Sequence, residues 1–347
     1  MTGTSTRTAR SRGDLAALAV VAVLLAAALP AGAASLYREL YSPAAFVGRY
    51  LSLLSDGRAA DALAMPGAEL TESQRADAGI PADASDALLR SAALNTLDQM
   101  RVLSEETRDN VTTVTVSYRA GGVPGTTTFA VVPDGWVGVV PGWRFERSPL
   151  AVMDVAVAGS TRFAVNGFAM DARQIAADAP PGEALPMLVL SPGLYAVGVD
   201  TPLAVADPVR VLSDAPQIRI PVVVTARPTA EFTGVVQQRV EDFLTACAAQ
   251  RVLQPTGCPF GGVIDDRVDS EPVWSIVQQP EVALTPDGAG WRIPDAAAVA
   301  HLDVRVRSLF DGRVSEVSED VPFLVSGTIE VDAAGSASIL IGGGRDS

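Results

Sequence analysis

At 347 residues the chain exceeds a single compact core, and a prior of roughly 150 residues per domain suggests two or three units. Its 26 basic residues, all Arg, stand against 40 acidic ones, and the net charge of −14 repels a phosphate backbone, so no nucleic acid partner is expected. One His and two Cys exclude multi-His metal centres and zinc ribbons, and the lack of Lys removes Lys-based covalent chemistry.

Residues 1–14 form a basic arm, with Arg7, Arg10 and Arg12 against Asp14. Residues 15–37 then carry no charge. A helix needs about 20 apolar residues to cross the hydrocarbon core, so 15–37 reads as a transmembrane anchor. The Arg cluster before it places the N-terminus in the cytoplasm and the bulk outside, as a single-pass cell-membrane protein. The alternative is a signal peptide cleaved in the small-residue run Ala31-Gly32-Ala33-Ala34, which leaves a secreted protein. Either way the bulk is exported. Cys247 and Cys258 fit that compartment as a structural disulfide, because the Cys-x-x-Cys spacing of a redox pair is missing.

Segment 42–148 reads as a first α+β unit. Ala45, Phe46, Tyr50, Leu51, Leu53 and Leu54 recur at helical spacing up to Gly57, a short helix follows over 58–64, and a third is predicted over 85–100. The period then changes to two over 111–118, 126–132 and 138–145. Segment 149–226 has short apolar runs between turns, among them the hairpin signal Asn166-Gly167, and reads as a small all-β sandwich. Segment 227–343 returns to helix before sheet. A long helix is predicted over 230–250, then strands over 273–279, 282–285, 291–293, 301–310, 321–331 and 338–341. Pro133-Asp134-Gly135 precedes Trp143-Arg144 much as Pro286-Asp287-Gly288 precedes Trp291-Arg292, so the two outer segments read as copies of one fold. The expected class is α+β: a transmembrane helix, then two helix-plus-antiparallel-sheet domains flanking a β-sandwich.

Tyr50-Leu51-Ser52-Leu53-Leu54-Ser55-Asp56-Gly57-Arg58-Ala59 and Gly142-Trp143-Arg144-Phe145 resemble exported nuclear transport factor 2-like domains. The resemblance implies cone-shaped, cystatin-like α+β folds. The layout is similar to actinobacterial single-pass exported proteins and, loosely, to the TcaA group. The cytoplasmic zinc ribbon common in that group is missing, since no Cys precedes residue 15. Enzymatic members of the superfamily place Asp, His or Tyr in the cone, and no such cluster is assigned here.

His301 alternates with Asp303, Arg305 and Arg307 on one strand face, where a His beside a carboxylate could be a general base, but no nucleophile accompanies it. The run Asp265-Asp266-Arg267-Val268-Asp269-Ser270-Glu271 offers oxygen ligands without the glycine and spacing of a calcium loop. Neither a Gly-x-Ser-x-Gly elbow nor a phosphate loop is present. No catalytic residue, metal site or cofactor is therefore assigned. Trp136, Trp143, Trp274 and Trp291 are the candidate ligand contacts. The expected function is a non-enzymatic, membrane-anchored interaction or scaffold protein of the cell envelope. The alternatives are binding of a small lipid or cell-wall fragment in a cone, and a hydrolase or isomerase using buried carboxylates. Expected partners are the membrane, through the N-terminal helix, and a cell-wall fragment or envelope protein; the oligomeric state stays open.

Overall fold

The computed structural model describes residues 40–138, 140–176, 182–332 and 334–343, together with Ala17, Ala19, Val20 and Val21. Apart from those four residues, the expected basic arm and anchor lie outside the described residues. Among the described residues no helix is long and apolar enough to cross a membrane. The α+β expectation is corrected. Strands make up 49% of the described residues and helices 18%, so the described part is mostly β, built from several sheets, and not a pair of helix-covered cones.

The first helix, α1 (Pro43–Ser55), starts where Ser42 accepts a hydrogen bond from the Ala45 N–H at 3.1 Å, with Pro43 in its first turn. It is followed by α2 (Ala59–Leu63) and α3 (Glu72–Asp77). Phe46, Tyr50, Leu51 and Leu54 of α1 are buried in the core of an antiparallel sheet ordered β1 (Leu97–Arg108), β2 (Val111–Ala120), β3 (Val123–Val137) and β4 (Val140–Phe145). The rings of Phe46, Tyr50, Phe129 and Phe145 fill the space between helix and sheet, with centroids 4.9 to 5.8 Å apart.

The helix predicted over 85–100 does not form. Ser91–Ala93 is a single 3-10 turn and β1 begins at Leu97. The Ser85 N–H donates to the Pro186 carbonyl at 2.9 Å and the Leu188 N–H donates to the Ser85 carbonyl at 2.8 Å. Leu88 is buried in the core of the next unit. These contacts hold the backbone away from a helix despite its apolar spacing, a case of tertiary context overriding propensity.

Nine elements follow: β5 (Leu150–Ala158), β6 (Arg162–Val165), β7 (Phe168–Asp171), α4 (Ala172–Ile175), β8 (Leu185–Leu190), β9 (Gly193–Asp200), β10 (Ala204–Ser213), β11 (Arg219–Thr225) and β12 (Arg227–Pro228). They make a five-stranded sheet ordered β12-β10-β9-β6-β7 and a three-stranded sheet ordered β11-β5-β8, in which β11 runs parallel to β5. Asn166-Gly167 forms the β6–β7 turn at φ 50° and 84°. The Asn166 amide also donates to the Ala93 and Leu194 carbonyls and accepts from the Ala196 N–H, so one turn residue ties three segments.

The last part opens with α5 (Ala230–Ala248), capped by Thr229, whose side chain accepts from the Phe232 N–H. The strands β13 (Arg267–Val268), β14 (Val273–Gln278), β15 (Thr285–Asp287), β16 (Gly290–Arg307), β17 (Val314–Val331) and β18 (Ala337–Gly343) form one sheet. The runs expected at 291–293 and 301–310 prove to be parts of a single strand, β16. Trp291 and Ile293 are buried at odd positions, whereas Ala296, Ala298, Ala300, Leu302, Val304 and Val306 are buried at even ones. A register shift between Ile293 and Ala296 makes that switch, at Pro294. The middle and C-terminal parts share one apolar core, while Leu150, Leu190 and Leu194 join the core of the N-terminal part.

Candidate functional site

The four tryptophans separate into one surface pair and two buried side chains. In the β3–β4 hairpin, Pro133 pairs with Trp143 and Trp136 pairs with Pro141. Trp136 is 74% exposed. Trp143 is half-buried, and its indole N–H donates to the Tyr41 carbonyl at 2.7 Å, which fixes the ring against the start of α1. Beside it runs a groove of about 490 Å³ walled by Tyr41, Phe46, Arg49, Leu53, Asp61 and Trp143. Arg49 lies 6.0 Å from the Phe46 ring centroid and donates to the Leu40 carbonyl, and Asp61 pairs with Arg58 at 2.8 Å. Aromatic and aliphatic walls with a few charged groups are the usual lining of a ligand cleft. Tyr41, Arg49 and Asp61 were not singled out in the sequence. The spacing of Arg49 and Leu53 on one helix was the available signal, but nothing local pairs them with Trp143.

Trp274 and Trp291 are buried, at 5% and 1% exposure. Trp274 packs on Phe260 at 5.0 Å, and its indole N–H donates to the Val252 carbonyl at 2.9 Å. It thereby braces the loop closed by the Cys247–Cys258 disulfide, whose Cα atoms are 5.8 Å apart. Trp291 packs edge-on to Phe232 of α5 at 6.0 Å. The two Trp-Arg turns that suggested a repeat therefore sit in unlike surroundings, one at the surface and one in the core.

His301 faces the neighbouring strand. Nδ1 lies 2.6 Å from Asp320, and Nε2 lies 3.0 Å from the Ser318 hydroxyl and 3.4 Å from Asp303. The hydrogen bond to Asp320, with the charge of Asp303, holds the imidazole above its ordinary value of 6.5. The acidic run 265–271 is occupied structurally: Asp266 accepts from the Leu309 N–H and Asp269 pairs with Arg307. Both contacts anchor the outer end of the β16–β17 hairpin. Among the described residues no group of three or more His, Cys, Asp or Glu could hold a metal ion.

Buried polar side chains among the described residues are Ser and Thr: Ser42, Thr112, Thr127, Ser148, Ser191 and Ser213. The carboxylate moved most clearly by its surroundings is Asp171, held low by its hydrogen bonds from Arg173. That is the opposite of the raised carboxyl a buried general acid requires. No family model, curated protein or solved structure matches the chain.

Proposed function

We propose that the chain is a non-enzymatic, extracytoplasmic interaction protein of the cell envelope, and that it takes a cell-wall fragment in the Trp143 groove. The observation that carries this reading is the groove itself, an apolar and aromatic cleft flanked by Arg49 and Asp61, with Trp136 presented on the same hairpin. Rings fixed in place lose little freedom on binding, which favours stacking against the flat faces of a sugar. The disulfide supports an oxidising compartment. The helix–sheet interior is filled by aromatic rings, which favours a surface groove over an interior lipid site. The test is co-sedimentation of the full chain with purified cell-wall sacculi. Saturable binding that soluble wall fragments compete away is the expected result, and no binding at any ionic strength would overturn it.

A second surface supports a protein partner. Leu309 and Phe310, at the tip of the β16–β17 hairpin, are 73% and 100% exposed, an apolar pair at the end of a long arm. Crosslinking in intact cells from a photoreactive group at position 310 is expected to capture one envelope protein. Capture equal to that from exposed Val263 would count against the arm.

A further inference from the structure

We propose that β18 is the edge through which two copies of this chain pair, antiparallel and about a two-fold axis at Leu340. A strand at the rim of a sheet presents a row of unpaired backbone groups, and proteins blunt such rims with bulges, prolines, charges or brevity. The other rims here carry one of these. β1 and β14 are bulged, β4, β8, β11 and β15 contain a proline, and β7, β12 and β13 run for four residues or fewer. The length of β17 that β18 leaves unpaired carries Glu316, Glu319 and Asp320. β18 has none of them. Ala337–Gly343 reads Ala-Ser-Ile-Leu-Ile-Gly-Gly, its ladder with β17 is unbroken over seven residue pairs, and no described strand lies on its other side.

The hairpin register decides which groups are free. The Asp332 N–H donates to the Ser336 carbonyl at 3.0 Å, so the bonded rungs recur at every second pair, through Ser338, Leu340 and Gly342. A Cβ on Gly327 would stand 2.6 Å from the Leu340 oxygen, which places that carbonyl toward β17. Ala337, Ile339, Ile341 and Gly343 therefore aim their N–H and C=O groups at the open side. Laid antiparallel with Leu340 opposite Leu340, a second copy sets Ile339 against Ile341 and Ala337 against Gly343. Each is a pair of outward-facing residues, so the free groups of both strands are matched. The side chains agree with that register. Ile339 and Ile341 are half-buried against the shared core, and the pairing extends this apolar layer across the axis. On the opposite face Leu340, 73% exposed, meets its counterpart beside the small Ser338 and Gly342. No charge lies within the seven residues, so a chain of net charge −14 pairs with itself here without setting like charges opposite each other. The matching backbone parity, the symmetric Ile-Leu-Ile run and the missing charge together single out a second copy as the occupant.

This edge is separate from the Trp143 groove, and either can fail without the other. The test is disulfide trapping of the full chain in a mild detergent, starting from a protein whose two cysteines are already joined to each other. Leu340→Cys puts two thiols on the axis with Cα atoms about 4.5 Å apart, within disulfide reach. Ser338→Cys, on the same face, leaves them about 14 Å apart and out of reach. Mild oxidation is expected to give a covalent dimer from Leu340→Cys at least ten times faster than from Ser338→Cys. In sedimentation equilibrium Leu340→Lys, a change at an exposed side chain, should weaken self-association at least tenfold, and an equimolar mixture with Leu340→Glu should restore it. Trapping of Leu340→Cys no faster than of Ser338→Cys, a parent chain that stays monomeric at every concentration reached, or a dimer unmoved by Leu340→Lys would each overturn the proposal.

Discussion

Replacing Tyr50 by Phe removes one oxygen from the contact that joins the N-terminal and middle parts. Tyr50 is fully buried, and its hydroxyl donates to the Ser191 carbonyl at 2.9 Å, 141 residues away in sequence. Burial pushes the phenol well above its ordinary value, so it remains a neutral donor. Phe preserves the edge-on contacts with Phe129 and Phe145 at 5.8 and 5.2 Å, so the ring's packing is not at stake. What is lost is the hydrogen bond, and what remains is a carbonyl without its donor in an apolar seam. That combination costs about 1–3 kcal/mol. Truncation to Ala adds a cavity and should cost about 3–5 kcal/mol. The assay is urea unfolding of the full chain, fitted transition by transition because a chain of several units need not unfold in one step. Hydrogen exchange around residues 188–195 locates the loss. A Tyr50→Phe change below about 0.5 kcal/mol would refute the idea that this bond holds the two parts together.

Gly67→Ala drives a Cβ into the Phe145 carbonyl oxygen at φ +75°, and should cost about 3 kcal/mol or more, read as a lower unfolding midpoint. Replacing both Cys247 and Cys258 by Ala opens a loop of 11 residues' separation, which the chain-entropy model values at about 3 kcal/mol, with amide exchange rising over 249–262. Since the folded His301 is held above 6.5, its contribution to the β16–β17 hairpin is complete below that value and lost as pH rises through the folded one. An NMR titration of His301 should give a midpoint above 6.5, and Asp320→Asn should lower it.

Where local rules govern the backbone, the sequence was readable. The helices α1 and α5 carry their own caps in Ser42-Pro43 and Thr229, and Asn166-Gly167 supplies the left-handed pair its hairpin needs. Where distant segments decide, it was not. Residues 85–100 have helical spacing, but Ser85 is recruited by Pro186 and Leu188. Pro294 reads as a strand breaker, yet a bulge absorbs it and β16 runs on, which is one reason the β content was underestimated. The same logic applies to the candidate contacts. Four tryptophans look alike in sequence, and whether each is exposed depends on a hairpin tip for Trp136 and on α5 packing for Trp291. The groove partners Arg49 and Asp61 stand on α1 and α2, opposite a strand some eighty or more residues on, a proximity that only the fold creates.

The central claim is that the Trp143 groove binds a cell-wall fragment, and the most direct measurement is the affinity of Trp143→Ala for purified sacculi beside Trp274→Phe. The account predicts that Trp143→Ala weakens binding at least tenfold, about 1.4 kcal/mol, while Trp274→Phe retains it. Equal binding by both variants and the parent chain would contradict it.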